Sequence, residues 1–163
     1  KTRLLTIFAN YDRLTGLQAE ECLWNELRTA RTINLWSFVS VILMISKNKD
    51  TYGHLCGDYV LQNISEIMRK SLGLENVDIC RWGGEEFVFM FCNDDIDSAF
   101  VKVENLRKTI ENKNLFMKIT NLRYDDVGII ERDSGKVDDV LLESADKLLY
   151  RGKINGKNVV VKA

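Results

Sequence analysis

Apolar residues recur along the 163-residue chain in two alternating rhythms, one suited to helices and one to strands. From Gln18 to Thr29, Cys22, Leu23 and Leu27 lie close to helical spacing, with acidic residues near the start, where the helix dipole favours them. Phe38 to Ile45 (FVSVILMI) is a short, β-rich apolar run that reads as a strand buried on both faces. Asp58 to Leu72 places apolar residues at Val60, Leu61, Ile64, Ile67, Met68 and Leu72, which predicts an amphipathic helix. Val77 to Trp82 and Phe87 to Cys92 flank Gly83-Gly84-Glu85-Glu86. The Gly-Gly turn and the alternation of Phe87, Phe89 and Phe91 predict a β-hairpin.

Ala99, Val103, Leu106 and Ile110 give a further helix, and Met117 to Thr120 and Val127 to Ile130 read as strand pieces. Val140 to Tyr150 is helical by its apolar spacing, and Asn158 to Val161 closes with a short strand. Strands separated by helices around one central hairpin make an α/β sandwich on a β-α-β-β-α-β plan. The expected sheet is mostly antiparallel, with helices covering it. No proline, low-complexity tract or internal repeat breaks the pattern, so residues 1–163 are expected to form one domain.

Composition narrows the function classes. Hydrophobic residues at 45% and charged ones at 29% fit an ordinary soluble globular protein able to bury a core without metals or disulfides. A net charge of -1 provides no electrostatic footprint for nucleic acid or an anionic membrane, so any phosphate must be held by a local site. Cys22, Cys56, Cys80 and Cys92 show no C-x-x-C spacing, and His54 is the single histidine, which argues against a zinc site or a disulfide framework. The longest apolar stretch is far short of a membrane span and no signal peptide opens these residues. A cytoplasmic setting is therefore expected, with a membrane anchor or sensor upstream in a parent protein left open.

Three segments carry candidate chemistry. In Arg81-Trp82-Gly83-Gly84-Glu85-Glu86-Phe87, two glycines at a hairpin tip permit positive φ and close approach of a bulky ligand. The adjacent carboxylates suit Mg²⁺, which prefers oxygen ligands and substrate phosphates; a surface hairpin with two solvated glutamates is an equal reading. In the segment from Asp50 to Asp58, Asp58 is placed to cap the following helix or to accept the two adjacent N–H donors of a guanine. His54 reads as structural. In the segment from Ala145 to Asn158, the lysines suit a triphosphate, while basic residues at a helix C-terminus ended by Gly156 are the plainer explanation.

Together these segments resemble the GGDEF family of diguanylate cyclases. Asp12-Arg13-Leu14-Thr15-Gly16-Leu17 matches its D-x-L-T-G-L, Tyr52 to Asp58 its Y-G-H-x-x-G-D, and Gly83 to Phe87 the GGEEF form of its signature. Ala145 to Gly156 matches A-D-x-x-L-Y-x-x-K-x-x-G. Four ordered motifs are far more specific than a lone glycine motif. The resemblance implies a palm-like fold shared with nucleotidyl cyclases and synthesis of cyclic di-GMP from two GTP, each held by one subunit of a homodimer, with Mg²⁺ or Mn²⁺. It makes Glu85 the catalytic and metal-binding carboxylate, supported by Glu86. Gly83 and Gly84 then admit phosphates, Asp58 reads guanine with Leu61 lining the pocket, Lys153 contacts phosphate, and Lys157 stands where arginine is usual.

The sequence also departs from the family. Family enzymes follow the first strand with D-x-D-x-F-K-x-x-N-D, but here Met44-Ile45 runs into Ser46-Lys47-Asn48-Lys49-Asp50. The first metal-binding aspartate has no counterpart. Lys49 stands in place of the guanine-binding asparagine, and Asn48 substitutes for it if the loop shifts by one residue. Near Thr120, Asn121 to Gly128 replaces the usual S-x-G, and Gln18-Ala19-Glu20-Glu21 replaces the N-R pair that follows L-T-G-L. The family's inhibitory R-x-x-D falls at Leu74 and Val77. The intact Glu85, Glu86 and Lys153 favour a cyclase, either intact or weakened by the shortened first metal-binding segment. The shortened segment favours a degenerate domain that binds guanine nucleotide and regulates an attached module, and a purely structural dimerisation domain is a third reading.

Overall fold

The computed structural model describes residues 10–25, 38–46, 49–73, 77–92, 94–113, 123–131 and 159–162, together with Lys147, Tyr150 and Ile154. The strands are β1 (Gln18–Ala19), β2 (Phe38–Ser46), β3 (Val77–Gly83), β4 (Glu86–Cys92), β5 (Arg123–Glu131) and β6 (Val159–Lys162). Helix α1 spans Lys49–Leu72 and helix α2 spans Ile96–Asn112. Chain order from β2 to β5 is therefore β-α-β-β-α-β, as the alternating pattern predicts.

The strands form one sheet in the order β1-β3-β4-β2-β5-β6. The three inner pairings are antiparallel. The two edge strands, β1 on β3 and β6 on β5, pair in parallel. The sheet is thus mostly antiparallel, with β2 at its centre, hydrogen-bonded on both edges.

Alternation along β4 divides the core. Phe87, Phe89 and Phe91 pack on one side with Leu61, Ile64 and Met68 of α1 and with Val103, Leu106 and Ile110 of α2. Val88 and Met90 point to the other side, against Cys80, Leu23, Trp24 and Trp82. Each fully buried phenylalanine contributes about 1.5–3 kcal/mol of transfer free energy, so β4 anchors both layers.

Local chemistry explains the helix ends. Asp95 caps α2 by accepting from the Ser98 amide at 2.7 Å, which satisfies a donor that the first turn leaves open. Gly73 ends α1 in the left-handed region (φ 69°), its amide donating to the Arg69 carbonyl at 3.1 Å.

Two expectations are corrected. Gln18 and Ala19 form β1, and helical backbone begins only at residue 20. Helix α1 begins at Lys49, nine residues before Asp58, so Asp58 lies in the helix interior and caps nothing. The expected pieces at Met117–Thr120 and over most of Val140–Tyr150 lie outside the described residues, although Lys147, Tyr150 and Ile154 are helical. Among the described residues, no helix is long and apolar enough to cross a membrane.

Candidate active site

The β3–β4 hairpin closes one pair later than the Gly-Gly turn chemistry predicts. Gly83 pairs with Glu86, so the tip consists of Gly84 and Glu85. A register shift between Arg81 and Gly83 marks a bulge at Trp82, whose ring packs edge-on against Trp24 with centroids 5.4 Å apart.

The positive φ that glycine permits is not used at this tip. Among the described residues, the positive-φ glycines are Gly16 and Gly73, not Gly83 or Gly84. Protein packing does not demand glycine at the tip either. A Cβ at Gly84 would meet nothing within 4 Å, and one at Gly83 would meet only the Glu86 Oε2 at 3.6 Å, an ordinary contact. What the two glycines leave is clearance at the tip, followed directly in the chain by two glutamates.

Glu85 and Glu86 are both half-buried, and the Glu85 Oε1 is shielded from solvent. Glu86 pairs across the ladder with Met44 near the end of β2. The signature tip is therefore level with the end of the central strand, where the sequence lacks its expected aspartate. Among the described residues, no group of three or more His, Cys, Asp or Glu gathers as a ligand cage. Two adjacent carboxylates at an open tip do fit a divalent cation that keeps waters and takes its remaining oxygens from substrate phosphates.

Asp58 is half-buried on α1, and Leu61, one turn further on, is fully packed in the core. The two lie on one side of the helix, Asp58 nearer the surface and Leu61 beneath it. Lys153, Lys157 and Asn48, expected at the phosphates and the base, lie outside the described residues.

Sequence reasoning missed a hydrogen-bonded group behind the tip. The Arg81 Nη1 donates to both carboxylate oxygens of Asp12, at 3.0 and 3.1 Å, and its Nη2 donates to the Gly84 carbonyl at 2.8 Å. Asp12 belongs to the D-x-L-T-G-L turn, which is closed by bonds from the Asp12 amide to the Leu17 carbonyl and from the Gly16 amide to the Asp12 carbonyl, both 2.8 Å. The Thr15 amide and hydroxyl donate to Asp12 Oδ1 at 2.8 and 2.7 Å. The Arg69 Nη2 donates to the Thr15 carbonyl at 2.5 Å. Gly16 sits at φ 65°, which favours glycine, and a Cβ there would meet the Arg69 guanidinium at 3.0 Å and push it aside. Asp12 and Arg81 are 69 residues apart, and their only sequence signal is membership of two quoted motifs.

A sequence model described as "Diguanylate cyclase, GGDEF domain" matches residues 9–159. The chain belongs to the GGDEF domain family. It is 37% identical over 131 residues to diguanylate cyclase A of Treponema denticola, covering 73% of this chain and 34% of that protein. It is 29% identical over 163 residues to diguanylate cyclase DgcZ of Escherichia coli, covering 97% and 55%. The chain thus spans between a third and a little over half of these relatives. The solved coiled coil and GGDEF domain of DgcB from Caulobacter crescentus, in complex with c-di-GMP, superposes with a TM-score of 0.82 at 21% identity, covering 99% of this chain and 90% of that one. This GGDEF domain therefore has the palm-like fold, with its signature written GGEEF.

Proposed function

We propose that this domain makes cyclic di-GMP from two GTP, with Glu85 as the essential carboxylate and a homodimer bringing the two nucleotides together. The observation that carries the reading is the open tip at Gly84, where neither φ nor packing calls for glycine and the next two residues are glutamates. Membership of the family supplies the reaction class. In each half-reaction the 3′-oxygen of one GTP forms a bond to the α-phosphorus of the other, and the bond from that phosphorus to the departing pyrophosphate breaks. The hydroxyl proton passes to a base.

Glu85 and Glu86 would hold Mg²⁺ or Mn²⁺, which lowers the pKa of the attacking hydroxyl and offsets charge on the phosphates. Asp58 accepts the two adjacent guanine donors, with Leu61 beneath it. Gly83 and Gly84 clear space for phosphates, and Lys153 and Lys157 supply positive charge to them. A cytoplasmic setting and an upstream sensor domain in the parent protein complete the reading as a bacterial second-messenger signalling output.

A second reading, a domain that binds guanine nucleotide and regulates an attached module, is favoured by one observation: β2 ends at Ser46 and α1 begins at Lys49, and the sequence between Met44 and Tyr52 holds no D-x-D segment. The two are separated by measuring product from GTP with Mg²⁺, beside the melting temperature, in the wild type and in Glu85→Gln. The cyclase reading expects product in the wild type and none in the variant, with the melting temperature shifted by less than about 3 °C. GTP binding without turnover in the wild type supports the regulator.

A further inference from the structure

We propose that Asp12 and Arg81 form a positioning relay that fixes the backbone of the signature turn and so sets where Glu85 presents its carboxylate. The inference rests on the reading of Glu85 as the essential carboxylate, and neither relay residue touches substrate in it.

The Gly84 carbonyl belongs to the peptide that leads into Glu85. That peptide is planar, so anchoring its oxygen fixes the amide nitrogen and Cα of Glu85 as well. The anchor is the Arg81 Nη2, at 2.8 Å. Side-chain packing cannot serve instead, because Gly84 has no side chain and even a Cβ there would meet nothing within 4 Å. The other end of the guanidinium is gripped by both oxygens of Asp12, and Asp12 is held in turn by two bonds from Thr15. The Arg81 and Asp12 side chains are only 16% and 25% exposed, so this pair is not the solvent-screened surface type whose contribution is negligible.

The relay ends on α1, through the Arg69 bond to the Thr15 carbonyl. The helix that carries Asp58 is thereby joined by hydrogen bonds to the turn that carries Glu85. A planar guanidinium spans the two acceptors with separate nitrogens, whereas a lysine ammonium is a single point charge on a flexible stem and cannot hold both in one geometry. Arg81→Lys is therefore the discriminating variant, since it keeps the charge and most of the apolar stem.

The test compares Arg81→Lys, Asp12→Asn and the control Arg107→Gln, which breaks a similarly buried pair with Glu104 on α2, far from this relay in the chain. Amide ¹H–¹⁵N spectra are recorded without metal or nucleotide. The expected result is displaced or broadened Gly84 and Glu85 signals in Arg81→Lys and Asp12→Asn, with both signals unmoved in Arg107→Gln. With GTP and Mg²⁺, turnover of Arg81→Lys falls about 10²-fold, the scale of a misplaced reacting group, while its KM for GTP stays near the wild-type value. Unmoved Gly84 and Glu85 signals in both relay variants, or equal movement in the control, would overturn the relay. A wild-type protein that makes no product, with tip signals displaced in the relay variants, sinks the cyclase reading and supports the relay.

Discussion

Met44 of β2 is paired with Glu86 of β4, the first residue after the signature turn. Past this pair β2 continues through Ile45 to Ser46, while β4 gives way to the turn at Gly84 and Glu85. The central strand therefore ends, two residues past that pair, in a serine, whose neutral hydroxyl is a poor anchor for a hard divalent cation.

A carboxylate at this position should strengthen metal binding. In Ser46→Asp, the Mg²⁺ concentration for half-maximal turnover is expected to fall about tenfold, since ligand charge count tunes the affinity of oxygen sites. Magnesium titration of initial rates at saturating GTP measures it. An unchanged midpoint would place the metal site elsewhere.

Guanine selectivity should depend on Asp58. In the proposed reading its half-buried carboxylate would pair with two adjacent donors of guanine, whereas adenine would oppose it with an acceptor. Such a mismatch costs about 1–3 kcal/mol, which is tenfold or more in affinity. Calorimetry is expected to show GTP binding more tightly than ATP, with the preference lost in Asp58→Ala. Equal affinities in the wild type would remove Asp58 from base recognition.

Product should not inhibit through the family's usual R-x-x-D site. Val77, at the aspartate position, is buried in the core with Ile79 and Phe91 and has no group to bond a guanine edge. The polar neighbours are already engaged, Arg69 by the Thr15 carbonyl at 2.5 Å and the Asp78 carboxylate by the side-chain Nε2 of Gln18 at 3.2 Å. Cyclic di-GMP is expected to bind Glu85→Gln no better than micromolar. Sub-micromolar binding that is lost on mutating Arg69 or Asp78 would reveal a different inhibitory site.

Asp12 should make stability depend on pH at the acid end. Burial alone raises its pKa, but the Thr15 hydroxyl and amide, and then Arg81, outweigh that and hold it below the usual carboxylate range. A depressed folded pKa contributes stability that is fully present above the unfolded value of about 4 and lost as pH falls through the folded value. At pH 7, Asp12→Asn is expected to cost about 1–3 kcal/mol, the scale for hydrogen bonds to a charged group. Urea midpoints of the two proteins should converge as pH drops below about 4. A constant gap would show that charge on Asp12 contributes nothing.

The elements with strong periodicity were legible in the sequence. Ala99, Val103, Leu106 and Ile110 are buried together on α2, and the Phe87, Phe89, Phe91 alternation marks the face of β4 turned to the helices. Strand β1 was not legible, because two residues carry no period and Gln-Ala-Glu-Glu reads as helix. The start of α1 was hidden by Gly53 and Gly57, poor helix formers that punctuate a local reading although the helix runs through both. At the site, the motif gave roles to Glu85 and Glu86 but none to Arg81, whose partners lie in a turn 69 residues away and in a backbone carbonyl that no side-chain pattern reports.

The place of β2 in the sheet also bears on how the chain folds. Its partners come late: β4 begins at Glu86 and β5 at Arg123, while β3 and β4 can zip locally as a hairpin. Pairing over such separations slows folding, because loop-closure entropy must be overcome before the ladder forms. Meanwhile Phe38 to Ile45, an uncharged β-rich run without proline, has the composition of a self-associating segment. Docking of β4 covers one of its edges, and until β5 joins, the other edge offers unpaired backbone groups to any neighbouring strand.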